Sequence, residues 1–231
     1  SYNSAVGQGA LSGNTSGAAN NAFGYQALAA NTTGSSNVAI GNSALSTQTT
    51  GSWNTALGRS ALGANTTASN NTAVGYQALT ANTTGTGNVA IGKGALDACT
   101  TSVSNTCVGN NAGGAITTGN GENVCVGNNC GANMTTAQQN ILIGDNCAAG
   151  QAITGNSNVI VGDNAGYNLT TGGSNVGIGY ECLSQNTTAS NNTAVGYAAL
   201  TSTVTTTILV VSETSSTALT CLLYTSPSPR D

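Results

Sequence analysis

The sequence predicts an all-β fold, a parallel β-solenoid or β-roll of about twelve coils with 17 residues each. One unit recurs along the chain: "SNVAIGNSAL" begins at Ser36, "NTAVGYQAL" at Asn71 and "NTAVGYAAL" at Asn192. Val, Ile and Thr beside a glycine favour a short strand, and polar stretches such as "ANTTGTGN" are typical of turns. A unit of this length is too short for a pair of helices, but it can form one coil of a solenoid.

Glycine marks the same position in every unit. Twelve glycines follow one another at 17 residues, with steps of 18 into Gly127 and Gly162. The residue before each is Val, Ile, Leu or Phe, and Ala or Cys lies three residues after it. We expect these anchor glycines where the coil bends, because glycine permits a positive φ or a close backbone approach. They are Gly7, Gly24, Gly41, Gly58, Gly75, Gly92, Gly109, Gly127, Gly144, Gly162, Gly179 and Gly196.

Asparagine lies four residues before every anchor glycine. Stacked side-chain amides can hydrogen-bond from one coil to the next, as in the amide ladders of cross-β structures. We therefore expect a structural asparagine ladder along the molecule. Its members are Asn3, Asn20, Asn37, Asn54, Asn71, Asn88, Asn105, Asn123, Asn140, Asn158, Asn175 and Asn192.

The small residues of the repeat suggest a homo-oligomer. Each coil offers about two large apolar side chains, worth roughly 2 kcal/mol each when buried. Ordering the backbone costs roughly 1 to 2 kcal/mol for each residue, so hydrogen-bond ladders and neighbouring chains should contribute. Two rows of alanine would let another chain approach closely. They are Ala39, Ala56, Ala73 and Ala90, and Ala44, Ala61, Ala78 and Ala95.

The composition argues against several classes of function. Only 4% of the residues are charged and the net charge is −4, so no basic surface is expected for nucleic acid or for an anionic membrane. No apolar run is long enough for insertion into a membrane. Histidine is absent, and we find neither a paired-carboxylate motif nor a phosphate-binding loop. We therefore expect no enzyme activity and no cofactor.

The repeats resemble those in the heads of YadA-like trimeric autotransporter adhesins, and similar arrays occur in bacteriophage tail fibres. "SNVAIGNSAL", "GNVAIGKGAL" and "NTAVGYQAL" carry the resemblance, which extends from Asn3 to about Leu200. It implies a trimer of left-handed β-rolls, extracellular on a cell surface or virion, that attaches to host glycans or a protein receptor. The 17-residue period is longer than is usual in those heads. By position, the resemblance gives a turn role to Gly41, Gly58, Gly75 and Gly92 and a core role to Ile40, Val74, Ile91 and Val195.

Three segments are distinguished along the chain. Residues 1–202 form the repeat region, which we interpret as a fragment of a longer chain. The pattern is lost in residues 203–220, which are either a frameshifted stretch or a capping strand that shields the last coil. Residues 221–231, "CLLYTSPSPRD", resemble the translation of a sequencing adapter.

Cysteine, aspartate and tyrosine give weak candidate sites. Most cysteines replace alanine in the repeat, without zinc-finger spacing or histidine, so we expect packed free thiols and no metal. Asp145 and Asp163 follow consecutive anchors and are weak calcium candidates, although two carboxylates rarely complete a coordination shell. Four tyrosines share the position after the anchor, where they would either pack at a coil edge or subunit contact or touch a ligand. They are Tyr25, Tyr76, Tyr180 and Tyr197.

Threonine supports an alternative function. "NTT" recurs at Asn31, Asn65, Asn82 and Asn186. Rows of threonine on a regular β face can match the spacing of ice, which would make the molecule an ice-binding β-solenoid. Against this, the threonine row looks interrupted in most of the other coils.

Overall fold

The computed structural model describes residues 2–119, 121–201 and 209–211, and every regular element in these ranges is a three-residue β-strand. All thirteen strands form one parallel sheet in chain order, which confirms the predicted all-β solenoid. The strands are β1 Ser4–Val6, β2 Asn21–Phe23, β3 Val38–Ile40, β4 Thr55–Leu57, β5 Thr72–Val74, β6 Val89–Ile91, β7 Thr106–Val108, β8 Val124–Val126, β9 Ile141–Ile143, β10 Val159–Val161, β11 Val176–Ile178, β12 Thr193–Val195 and β13 Leu209–Val211.

Equivalent residues of successive repeats lie opposite one another. In the pairing of β4 with β5, for example, Ala56 lies opposite Ala73, 17 residues further along the chain. About eleven turns of the chain therefore separate β1 from β12, and we number the coils 1 to 12 by their anchor glycines. Their stacking at roughly 4.8 Å gives a length of roughly 55 Å.

The tail contributes one strand to this sheet. β13 pairs in parallel with β12, with Thr193 opposite Leu209. The remainder of the segment 203–220, and the whole of the segment 221–231, lie outside the described residues.

The anchor glycines are fixed by close packing between coils. The φ of Gly41 is +134°, and a Cβ added there would lie 2.6 Å from the carbonyl oxygen of Gly58 in the next coil. Real Cβ atoms essentially never come that close to another atom. No other residue type therefore fits without moving the coils apart.

From coil 2 to coil 11 the core consists of the middle residue of the strand and the residues three and four positions after the anchor, all of which are buried. The middle residue of β1, Ala5, is exposed. In coil 5 these are Ala73, Ala78 and Leu79, all completely buried. Because side chains alternate along a strand, the residues on either side of the middle one point outward.

The expected core role of Ile40, Val74, Ile91 and Val195 is therefore wrong. Ile40 and Ile91 are 39% and 38% exposed, and Val74 and Val195 are only half-buried. The physical reason is the narrow interior of a 17-residue coil. The leucine from the following turn already occupies it, so an alanine fits on the strand side where a larger residue would not.

Size is balanced within the core of each coil. Where the middle strand residue is alanine, the residue four positions after the anchor is leucine. Where the middle strand residue is larger, that later residue is small: Cys107 occurs with Gly113, Cys125 with Gly131, and Ile160 with Gly166. A Cβ at Gly113 would lie 2.7 Å from the Sγ of Cys107. Conversely, a Cβ at Gly177 in β11 would lie 2.8 Å from Leu183 of the same coil. These two positions therefore compensate each other in size, since no coil from coil 2 to coil 11 has a large side chain at both.

The alanine rows do not support the expected oligomer. All eight of the alanines named above are completely buried inside their own chain. A second chain has no access to them, so any argument for assembly must come from the outer surface. No helix long and apolar enough to cross a membrane occurs in the described ranges.

Candidate functional surfaces

The asparagine ladder is buried and holds the coils together through the backbone. Asn71 accepts a hydrogen bond at Oδ1 from the backbone N–H of Asn88 (2.9 Å) and donates from Nδ2 to the carbonyl of Gly85 (2.8 Å). Asn37, Asn54 and Asn88 are completely buried and make the same two kinds of contact. These residues are therefore structural and unavailable to a ligand.

A second buried amide row, which the sequence interpretation assigned to turns, lies seven residues after the anchors of coils 1 to 5. Asn31 Nδ2 donates to Asn14 Oδ1 (2.9 Å), and Asn82 Nδ2 donates to Asn65 Oδ1 (2.9 Å). Two buried oxygens in this row, Asn31 Oδ1 and Asn82 Oδ1, accept no hydrogen bond. In each case the next coil lacks the asparagine, which is replaced by glutamine or by cysteine.

The outward-pointing residues of the strands form a uniform surface along the molecule. We call it the outer sheet face: the first and third residues of β1–β12. The third residue is Val, Ile, Leu or Phe in every strand, and no residue of this face is charged. The first residue is polar in six of these strands, so the continuous apolar part is the row of third residues. A continuous apolar row on a protein surface is a candidate interaction site.

The four predicted tyrosines border this face and all are exposed. The rings of Tyr180 and Tyr197 stack with centroids 5.1 Å apart and an interplanar angle of 15°. The guanidinium carbon of Arg59 lies 5.8 Å from the ring centroid of Tyr76. Tyr25, like the others, leaves over a third of its surface open to solvent. None of the four lies in the core, so all remain available for a contact.

The acidic pair offers no metal cage. Asp145 and Asp163 are both exposed, and Asp145 Oδ1 accepts a hydrogen bond from Asn128 Nδ2 (2.9 Å). No group of three or more metal-ligating carboxylates, thiols or imidazoles occurs within the described part of the chain.

The cysteines of the described repeats are buried free thiols in the core. Burial raises the pKa of Cys99 to about 12 and that of Cys182 to about 11. Hydrogen bonding to Cys107 and Cys130, together with burial, raises the pKa of Cys125. Cys99, Cys125 and Cys182, which are held protonated in this way, are poor nucleophiles and poor metal ligands.

Two rows of threonine run along the turns. Eight residues after the anchor, threonine hydroxyls donate to carbonyl oxygens of the next coil, as from Thr66 to Thr83 (3.1 Å). The following threonine is exposed in every coil from coil 2 to coil 8. The exposed row is Thr33, Thr50, Thr67, Thr84, Thr101, Thr118 and Thr136. The exposed threonine row is therefore continuous over coils 2 to 8, whereas the sequence alone suggested that it is interrupted in most coils.

One cleft was missed by the sequence interpretation. It lies on coils 10 and 11, has a volume of about 300 Å³ and is lined by Asn164, Tyr167, Glu181, Ser184 and Gln185. None of these residues belongs to a strand. The signal that could have identified it is Tyr167, because the equivalent position of the other described repeats holds Ser, Ala, Gly, Thr or Asp.

These features define the class of the molecule as a parallel β-solenoid repeat protein with buried amide ladders and an uncharged sheet face that carries a continuous apolar row. No protein-family model, curated protein or solved structure matches the chain.

Proposed function

We propose that the chain is a structural and adhesive segment of an extracellular fibre or head, and that it assembles as a homotrimer through the outer sheet face. The observation that carries the proposal is the continuous apolar row formed by the third residues of β1–β12, on a sheet face whose strand residues carry no charge. Trimeric adhesin heads and phage tail fibres, which the repeats resemble, are the settings in which such a rod would serve attachment. In this proposal the rolls are left-handed and the chain performs no catalysis.

The size of the strip suits such an interface. Five residues from the first strand residue to the position after the anchor span roughly 13 Å, and twelve strands span roughly 55 Å, which gives roughly 700 Å². The last of these positions holds the four tyrosines and also the charged residues Arg59, Lys93, Asp145 and Asp163. Specific interfaces bury about 800 Å² on each partner. The strand residues within this area are uncharged, which avoids the cost of burying unpaired charges along that part of the interface.

The test is the solution mass of the full chain by light scattering, with variants on the outer sheet face. We expect three chain masses for the native protein and a single chain mass for Ile91→Glu and Ile178→Glu, because each places a charge in the interface. Both residues are exposed in the single chain, so circular dichroism should show an intact fold. The control is Gln77→Glu, on an exposed turn residue, which should leave the mass unchanged. A native protein of single-chain mass would refute the assembly.

The exposed threonine row favours a second candidate function, an ice-binding solenoid. Thr50, Thr67 and Thr84 stand in successive coils at roughly the 4.8 Å spacing of the sheet. The assay is ice recrystallisation by the native chain and by Thr67→Lys. Inhibition that Thr67→Lys abolishes would support this function, and the absence of inhibition by the native chain would exclude it.

A further inference from the structure

The cleft on coils 10 and 11 departs from the repeat in a way that folding does not require. Tyr167 is exposed, and it stands where the other repeats place small or short side chains. It contributes nothing to the core, which in this coil is formed by Ile160, Ala165 and Leu169. In a repeat protein the fold is specified by what the coils share, so a bulky departure on the surface points to a separate role.

The ring of Tyr167 is held in a fixed orientation by the neighbouring coil. Its Cδ1 and Cε1 atoms lie 2.6 and 2.5 Å from where a Cβ of Gly150 would be. The ring therefore packs closely over the Gly150 backbone, whose N–H also donates to the carbonyl of Tyr167 (2.8 Å). Only glycine at position 150 leaves room for this arrangement, so the aromatic face is preformed before any ligand arrives.

Polar groups surround the ring and have hydrogen-bonding capacity left. Ser184 is only 8% exposed, and its hydroxyl makes no hydrogen bond within the described residues. Gln185 Oε1 accepts from Asn168 Nδ2 (3.2 Å), which leaves the Gln185 amide N–H groups available. Glu181 is half-buried, and its carboxylate raises the pKa of the adjacent Tyr180 through a hydrogen bond.

We propose that this cleft binds a neutral pyranose sugar, with the Tyr167 ring against the C–H face of the sugar and Glu181, Ser184 and Gln185 hydrogen-bonded to its hydroxyl groups. The inference rests on the proposed adhesive function and deepens it, since it names the glycan class. An apolar aromatic platform with a few convergent polar groups is the usual composition of a small-molecule site. A volume of about 300 Å³ is at the small end of such sites and suits one or two sugar rings.

The negative charges near the cleft favour a neutral sugar over an acidic one. Glu181 lines the cleft and Asp163 is close enough to influence the neighbouring Tyr180. The cationic side chains of the described residues, Arg59 and Lys93, lie on coils 4 and 6. A sialic acid, a uronic acid or a phosphate would therefore meet repulsion without a compensating cation.

The experiment is a titration of the full chain with methyl β-D-galactopyranoside, methyl β-D-glucopyranoside and methyl α-D-mannopyranoside, followed by saturation-transfer NMR. The methyl glycoside of N-acetylneuraminic acid serves as the acidic comparison. We expect millimolar binding of at least one neutral glycoside and weaker binding of the acidic one. Tyr167→Ala should weaken binding by at least about tenfold, and Glu181→Gln by about threefold or more. The matched control is Tyr76→Ala, which removes an equally exposed tyrosine outside the cleft and should change nothing.

Two results would overturn the proposal: no binding of the neutral glycosides up to about 50 mM, where a millimolar site is saturated, or binding that Tyr167→Ala and Glu181→Gln leave unchanged. Light scattering on the same samples separates this failure from a failure of the proposed assembly. A trimer that binds none of the sugars refutes the cleft alone, whereas a single chain that binds them refutes the trimer alone.

Discussion

Gln48→Asn should stabilise the protein by completing the second buried amide row. Gln48 Oε1 accepts from Asn65 Nδ2 (2.8 Å), but its Nε2 donates to the carbonyl of Gly51 (2.9 Å), which leaves Asn31 Oδ1 without a donor. In coil 5 the shorter Asn82 Nδ2 reaches both its own turn carbonyl (3.0 Å) and the preceding amide (2.9 Å). Asparagine at position 48 should reach both in the same way.

The magnitude follows from two opposing contributions. Satisfying a buried carbonyl oxygen recovers about 1 to 3 kcal/mol. Removing one buried methylene costs about 1 kcal/mol. The bond from Asn54 Nδ2 to Gln48 Oε1 (2.9 Å) is also lost, but Asn54 Nδ2 keeps its bond to Ala68 O (2.8 Å). We expect a net gain of about 1 kcal/mol in the free energy of unfolding, measured by urea denaturation of the full chain.

Cys99→Asn is the informative comparison. It would supply a donor to Asn82 Oδ1, but the next coil has Ile116 at the equivalent place, so the new Asn oxygen would itself lack a donor. This variant should therefore gain nothing. A Gln48→Asn protein that is less stable than the native one, or a Cys99→Asn protein that gains as much, would refute the reasoning.

Three further outcomes follow from the core and the anchors. Gly75→Ala should lower the free energy of unfolding by at least about 3 kcal/mol, because its Cβ would lie 2.5 Å from the carbonyl oxygen of Gly92. A loss below about 1 kcal/mol would contradict the close packing of the coils at this glycine. Gly113→Leu alone should strongly lower the free energy of unfolding. In the presence of Cys107→Ala the loss caused by Gly113→Leu should be smaller by at least about 1 kcal/mol, as a double-mutant cycle in urea would measure. The folded-state pKa of Cys99 is raised from 9.0 to about 12, so its contribution to stability is complete below pH 9 and is lost above it by about 1.4 kcal/mol per pH unit. Urea midpoints at successive pH values measure this loss, which Cys99→Ala should reduce but not abolish, because the pKa values of Cys125 and Cys182 are also raised.

The period of the repeat was sufficient to predict the strands, their parallel order and the alignment of equivalent residues. A strict spacing of glycine and asparagine leaves no other register, and the structure pairs residues 17 apart as expected, such as Ala73 with Ala90. The side of the strand that faces the core was not predictable in the same way. The general rule that large apolar residues lie inside failed for Ile40 and Ile91, because the width of the coil is set by a residue from a different part of the repeat.

The candidate site was hidden for a related reason. The four tyrosines that share a repeat position stood out in the sequence, whereas Tyr167 is the only tyrosine at its repeat position. Within three residues of it along the chain the polar residues are Asn164, Asn168 and Thr170, none of which indicates a site. Glu181, Ser184 and Gln185 join it only because the chain returns to the same place one coil later. Contacts across coils depend on the three-dimensional winding, so a list of motifs does not reveal them.

The balance of side-chain sizes inside each coil has a consequence for how such a molecule changes over generations. Cys107 and Gly113, like Gly177 and Leu183, adjust to each other within a single coil. Duplication or deletion of DNA that encodes one complete coil carries its matched set intact, whereas a break inside the coil separates residues that depend on each other. The rod can therefore lengthen or shorten in whole steps of roughly 4.8 Å with these pairs kept together, while contacts between coils, such as Gly150 with Tyr167, have to match at each new junction.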